Sequence, residues 1–288
     1  MASMRDIKRR KASIQSTGQI TKAMKLVSTV KLQRSRNKAE SSKPYFNLMY
    51  DTIAGMLKKS GNMDHKYLRS GDSRKKAVIV ITSNRGLAGG YNNNIVKLVS
   101  GDPALAVEDV KLYVIGRKGR DGLARRGYEV AKDYSEVINE PLYQDAADLT
   151  KELLEAFGRN EIGEIYLAYT SFKNTVVHIP KLVKLLPFTM EEQAGESGEN
   201  KAQALMNYEP NPEEVLDRII PNYMSSLIYG ALLEAVASEN GARMTAMDSA
   251  TNNAEEMIGK LELQYNRARQ GSITQELTEI IAGANAIS

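Results

Sequence analysis

The stretch of the chain best suited to chemistry is Ser83-Asn-Arg-Gly-Leu-Ala-Gly-Gly-Tyr-Asn92, which follows an apolar run and opens a helical one. A glycine-rich turn in that position can cradle a phosphate, because backbone N–H groups and the helix dipole converge on the anion. The stretch lacks what would make that chemistry specific: no Walker lysine follows the glycines, and there is no Gly-x-Gly-x-x-Gly spacing. A tight strand-to-helix turn accounts for the same glycines. The segment Gly116-Arg-Lys-Gly-Arg-Asp-Gly122 also follows a strand-like run. It could hold an anion at a helix N-terminus or be a solvated charged turn.

Other chemistries have little material. His65 and His178 are the only histidines and lie far apart, and there is no cysteine. Disulfides, thiolate metal sites and thiol redox switching are therefore excluded, and a histidine metal site or triad is not expected. No carboxylate pair sits near a convincing nucleophile, so general acid–base catalysis has no candidate. The expectation is a chain with no active site, no metal and no cofactor.

The elements that would position these loops fall into three blocks, with boundaries at 1–58, 74–188 and 212–288 and a polar, acidic linker over 189–211. The middle block alternates strand-like and helical runs. Ala77–Ile81 is continuously apolar, as in a strand buried on both faces. Further strands are expected at Val110–Ile115, Tyr128–Ala131, Ile165–Tyr169 and Val176–Leu186, with helices near Asn93–Ser100, Lys118–Arg126 and Leu142–Phe157. This alternation predicts a mostly parallel sheet covered by helices.

The outer blocks read as two very long helices. The first, Met4–Lys58, is interrupted only by Pro44 and has a thin apolar stripe: Ile7, Ile14, Ile20, Met24, Leu26, Val27 and Val30. In the second, Met244, Met247, Thr251, Ala254, Ile258, Leu261, Tyr265 and Ala268 keep a strict 3-4 spacing, the seam of a coiled coil. Its small and polar members predict a close-approaching pair, not a leucine-zipper core. Helical glycines such as Gly230, Gly241 and Gly259 cost about 1 kcal/mol each relative to alanine. Such a helix needs a partner along its length.

The fold expected is therefore α/β, a long antiparallel two-helix coiled coil with an inserted Rossmann-like α/β domain. At a rise of about 1.5 Å per residue the third block is about 110 Å long and the first about 80 Å. The last helix should overhang beyond roughly Ala268. That tip has no basic residue and gathers Ile273, Leu277, Ile280, Ile281, Ala284 and Ile287 on one face. An apolar tip in water is an aggregation liability, so a sleeve from another protein is implied.

Net charge is only +4, but Ile7–Ala39 contains no acid, while Lys8, Arg9, Arg10, Lys11, Lys22, Lys25 and Lys31 lie within it. Such a helix expects an acidic partner. Nucleic acid would satisfy the charge, but Met1–Lys43 offers no aromatic residue for base stacking and no docking motif. No run approaches the roughly 18 apolar residues of a membrane span, and no apolar signal core follows the basic N-terminus. The chain is expected on the cytoplasmic side, reaching a membrane only through a partner.

Over nearly its whole length the chain resembles the gamma subunits of bacterial F-type ATP synthases. The resemblance rests on Ile7-Lys-Arg-Arg-Lys-Ala-Ser-Ile-Gln-Ser-Thr-Gly-Gln-Ile-Thr-Lys-Ala-Met-Lys-Leu-Val27, Ser83-Asn-Arg-Gly-Leu-Ala-Gly-Gly90 and Gly116-Arg-Lys-Gly119. It rests above all on Gln270-Gly-Ser-Ile-Thr-Gln-Glu-Leu-Thr-Glu-Ile-Ile-Ala-Gly-Ala284. It implies a non-catalytic rotor shaft. The tip, with Ile273, Leu277, Ile280, Ile281 and Ile287, would turn inside a sleeve made by an alpha/beta hexamer. The α/β domain would be a foot beside an epsilon subunit and a membrane c-ring, making the chain a peripheral membrane protein.

By the same resemblance Lys8, Arg9, Met24 and Lys25 face acidic levers of the beta subunits. Arg243, Gln270 and Thr274 match contacts to the beta catch, and Tyr208 and Glu209 match a foot segment. Ala88 stands where many relatives carry cysteine, and the cysteine-bearing insert of chloroplast gamma subunits is absent. A kink is expected at Pro221.

Overall fold

A computed structural model describes residues 3–60, 65–175, 177–188 and 211–287. The expected linker therefore lies outside the described residues, apart from Asn211. Helix α1 spans Met4–Ser60 and helix α5 spans Pro212–Ile287. Both start where side chains cap the first turn. Ser3 Oγ accepts from the Asp6 N–H at 3.2 Å and donates to the Asp6 carboxylate. Asn211 Oδ1 accepts from the Glu214 N–H at 2.8 Å, and Pro212 stands at the first helical position, which needs no N–H. Pro44 and Pro221 lie inside their helices, which continue through them.

The described residues divide into two compact units, Thr29–Arg243 and the pair of segments Met1–Ser28 and Met244–Ser288. The first is built on β1 (Lys76–Ile81), β2 (Val110–Ile115), β3 (Glu129–Asp133), β4 (Glu164–Phe172) and β5 (His178–Leu186). Its helices are α2 (Tyr91–Gly101), α3 (Arg117–Ala124) and α4 (Tyr143–Gly158). The sheet runs β3-β2-β1-β4-β5, parallel except for β5, which folds back antiparallel on β4.

Because the strand order reverses at β1, the crossover helices end on opposite faces. Val78 and Val80 pack with Ile95 and Val99 of α2 and Leu123 of α3. Ala77, Ile79 and Ile81 pack with Leu149 and Leu153 of α4, Ile53 and Met56 of α1, and Leu216–Ala235 of α5. This two-sided burial is why β1 reads as an unbroken apolar run.

In the other unit, α1 and α5 run antiparallel. Lys11 pairs with Glu262 at 2.6 Å and Lys25 with Asp248 at 2.6 Å, while the hydroxyls of Thr21 and Thr251 meet at 2.7 Å. A Cβ added to Gly18 would touch the Ala254 Cβ at 3.4 Å. On α5 the covered positions are those expected, from Met244 to Ala268.

On α1 the outcome differs from the expected apolar stripe. The covered positions are Ile7, Lys11, Ile14, Gly18, Thr21, Lys25 and Ser28, also on 3-4 spacing, whereas Ile20 and Val27 are each 58% exposed and Leu26 is 63% exposed. Small residues at Gly18, Thr21 and Ser28 permit the close approach, Ile7 and Ile14 are covered with them, and Ile20, Leu26 and Val27 are turned outward.

The strand-to-helix turns after β1 and β2 lean on each other in the larger unit. Thr82 Oγ1 donates to the Gly116 carbonyl at 3.1 Å and accepts from the Gly119 N–H at 2.9 Å. Gly116 has φ +118°, and a Cβ there would lie 2.2 Å from the Thr82 carbonyl oxygen. Gly116→Ala therefore combines a left-handed backbone with a backbone clash, and should cost about 3 kcal/mol of stability. A lowered urea midpoint with an unchanged slope would report it; an unchanged midpoint would contradict this reading of the turn.

Candidate functional site

The Ser83–Asn92 loop emerges from the C-terminal end of β1, at the point of strand-order reversal where α/β sheets commonly bind ligands. Its polar groups are engaged within the chain. The Asn92 side chain accepts from the Ser83 N–H at 2.9 Å, and Ser83 Oγ donates to the Arg85 carbonyl at 2.6 Å. The Asn84 amide donates to the Ser135 carbonyl at 2.7 Å and accepts from the Arg117 N–H at 3.0 Å.

The other side of the loop holds α5. Tyr91 donates its hydroxyl to the Ala235 carbonyl at 3.2 Å. Arg243 ion-pairs with Glu239 at 2.6 Å, both side chains being about seven-eighths covered at 12% and 13% exposure. The same guanidinium donates to the carbonyls of Gly86 at 3.3 Å and Arg85 at 3.5 Å. Burial, then the charge of Glu239, pushes the Tyr91 hydroxyl well above the usual tyrosine range, with Arg243 opposing. The hydroxyl is a permanent donor. The loop thus acts as a clasp on a helix, a role that neither of the sequence readings, phosphate cradle or tight strand-to-helix turn, contained.

The expected partner-facing residues fall on three surfaces. Lys8 and Arg9 are exposed on the first turns of α1, Met24 is half-buried, and Lys25 is occupied by Asp248. Beside Met24 runs the exposed apolar stripe of Ile20, Leu26 and Val27, bordered by the exposed Lys22. These members of the thin apolar stripe read from the sequence lie on the exposed side of the helix. The signal that could have found it is the 3-4 spacing of small residues one position away. Arg243, expected at a partner, is instead largely covered by the clasp.

The third surface is the end of α5. In the register of the four α1–α5 contacts, Met4 is level with Ala268. Past Ser272 every residue to Asn285 is exposed. Ile273, Leu277, Ile280 and Ile281 are 49%, 55%, 67% and 59% exposed. They share one face by their spacing. Gln270 and Thr274 lie one turn apart, with Thr274 Oγ1 donating to the Gln270 carbonyl at 2.9 Å. The side chain of Ile287, and Tyr208 and Glu209 altogether, lie outside the described residues. Among those described there is no cluster of three or more potential metal ligands and no helix long and apolar enough to cross a membrane.

The comparisons agree with this arrangement. Residues 3–287 match the family model described as ATP synthase. The chain is 68% identical to the ATP synthase gamma chain of Lachnoclostridium phytofermentans over the whole of both chains. It is 45% identical to that of Alkaliphilus metalliredigens, covering 99% of this chain and 98% of the relative. Its fold matches a chain of the mitochondrial ATP synthase of Euglena gracilis with a TM-score of 0.68, at 18% identity, over 99% of this chain and 94% of the other. The chain belongs to the ATP synthase gamma-chain family.

Proposed function

We propose that this chain is the central rotor shaft of an F-type ATP synthase, coupling ion flow through a membrane c-ring to ATP synthesis or hydrolysis on an alpha/beta hexamer. It turns and does not itself react. The observation that carries this reading is the end of α5, an exposed apolar helix that outruns its α1 partner. A helix of that kind acquires stability from a surrounding sleeve, and a hexamer with a central bore supplies one.

In this reading α1 and α5 form an antiparallel coiled coil, and the α/β domain is the foot that meets the epsilon subunit and the c-ring. Lys8, Arg9, Met24 and the stripe beside it face the acidic levers of the beta subunits; Gln270 and Thr274 meet the catch. Arg243 contributes by tying the Ser83–Asn92 loop to the shaft, with the catch contact reached through that clasp. The chain would be peripheral, on the cytoplasmic side, and in touch with the membrane only through the c-ring.

Co-expression with alpha and beta subunits, followed by size-exclusion chromatography and an ATPase assay, tests the role. The full chain should enter one large ATP-hydrolysing species. A chain ending at Ser272 should assemble less or couple poorly while its α/β unit unfolds at an unchanged urea midpoint, because the hydrogen bonds described for Thr274, Gln275 and Thr278 stay within the tip's own helix and its residues from Ile273 to Asn285 are exposed. Full activity from the complex without this chain would overturn the proposal.

Met24→Lys adds a cation at the sliding surface, beside Lys22 and Lys25. A new ion pair with an acidic lever would hold the sliding contact in one position, which should lower ATP-driven ion pumping by roughly tenfold, with hydrolysis and thermal melting little changed. Normal pumping by the variant would remove Met24 from the lever contact.

A further inference from the structure

The end of the β4–β5 hairpin packs on α5 through positions at helical spacing. Glu234 accepts from the Phe172 N–H at 3.4 Å, Ser238 Oγ donates to the Thr170 carbonyl at 3.2 Å, and Gly241 lies against the His178 ring. A Cβ at Gly241 would fall 2.9 Å from His178 Cε1, 3.5 Å from its Nε2 and 3.6 Å from the Phe172 ring. The helix therefore has a notch where the imidazole sits. Phe172 and His178 are directly paired across the two strands, with ring centroids 6.1 Å apart.

A second observation concerns what the imidazole lacks. Among the described residues, the buried side-chain nitrogen and oxygen atoms without a hydrogen-bond partner are Thr170 Oγ1 and both ring nitrogens of His178. They belong to diagonal neighbours on one face of the hairpin. An imidazole carries an N–H and a lone pair, and burying both unmatched costs stability. A phenyl ring would fill such a space at no polar cost. What the imidazole adds is a charge that can appear as the solution becomes slightly acidic.

The ionisable groups on the surrounding elements have other positions or partners. On α5, Glu239 is paired with Arg243 at 2.6 Å, and Glu234 serves the Phe172 N–H. On α2, Tyr91 donates to the Ala235 carbonyl and Lys97 is exposed. Tyr169 of β4 and Lys181 of β5 alternate to the opposite face of the sheet. Tyr166 and Lys184 reach Glu164 at the far end of the hairpin, and Lys173 of the turn is exposed. Burial pushes the imidazole below the ordinary histidine range; the backbone at Thr175 opposes this to a smaller extent, without reaching hydrogen-bonding geometry.

We propose that His178 is a pH-sensitive latch between the β4–β5 hairpin and α5: neutral, its ring seats in the notch at Gly241; protonated, it moves into water and frees the hairpin's end from the helix. The sign follows from burial. The open form takes up a proton in the ordinary histidine range and the seated form only below it. The latch is therefore fully held above that range and is lost as the pH falls through it. Its release loosens α5 next to the clasp made by Arg243. The inference stands apart from the rotor reading.

The test uses the full-length chain with isotope-labelled histidine, followed by NMR. The chain has two histidines, so the signal lost in His178→Phe identifies its own; His178→Gln serves where that variant does not fold. The His178 signal should titrate at a lower pH in the wild type than in Gly241→Ala, whose Cβ would displace the ring. Deuterium exchange of the hairpin end, corrected for the intrinsic effect of pH, should rise roughly tenfold in the wild type between about pH 7.5 and about pH 5.5. In Gly241→Ala it should be raised at both pH values, and in His178→Phe protection should be retained at both. Equal titration of His178 in wild type and Gly241→Ala, exchange that ignores pH, or a pH response that persists in His178→Phe would overturn the proposal.

Discussion

The rest of the account depends on how closely α1 and α5 approach each other. In the middle of the seam the facing residues contribute little apolar area, Gly18 against Ala254 and Thr21 against Thr251 at 2.7 Å, while Ile7 on α1 and Met247 and Leu261 on α5 are buried along it. Burying the small middle residues gains little at about 25 cal/mol per Å². The flanking ion pair of Lys25 with Asp248, with side chains 40% and 48% exposed, adds about 1 kcal/mol at most. What this seam secures is register and proximity. Ile20, Leu26 and Val27 on α1 and Ile273, Leu277, Ile280 and Ile281 on α5 are left exposed. In the proposed rotor role a surrounding assembly would cover these exposed faces.

The other unit follows the opposite rule. There α5 is buried from Leu216 to Ala235 against a sheet whose central strand is covered on both faces. The Ser83–Asn92 loop then fastens the helix through Tyr91 and Arg243. In many doubly wound folds the turn after the first strand meets a ligand; here its polar groups are spent on α5 and on the neighbouring Gly116 turn. In the proposed rotor role such a loop would carry force between the α/β domain and the helix that leaves it.

How much of this could be read from the sequence depended on whether the signal was local. Strand β1 was legible because burial on both faces writes itself as Ala77–Ile81 without interruption. The α5 seam from Met244 to Ala268 was legible because its spacing repeats over several turns. The seam of α1 was legible only in part: Ile7 and Ile14 stood in the apolar stripe, but Lys11, Gly18, Thr21, Lys25 and Ser28 carry no apolar signal, and Ile20 and Val27 draw attention to the exposed side. The clasp was hidden for another reason: Tyr91 and Ala235 come from distant parts of the chain, and a hydrogen bond between them leaves no mark on either local pattern. The tip was visible as a run of apolar residues with no partner in the chain, a conclusion that rests on the length difference of the two helices and is independent of how each packs.

The central claim is that the chain rotates relative to the subunits that carry the reaction. The chain contains no cysteine, so a single cysteine introduced at the exposed Lys97 of α2 can carry one optical probe. The measurement is single-molecule tracking of that probe in an alpha/beta complex fixed to a surface, with ATP supplied. The account predicts unidirectional stepwise rotation that stops when ATP is withdrawn. Sustained ATP hydrolysis with the probe stationary would contradict it.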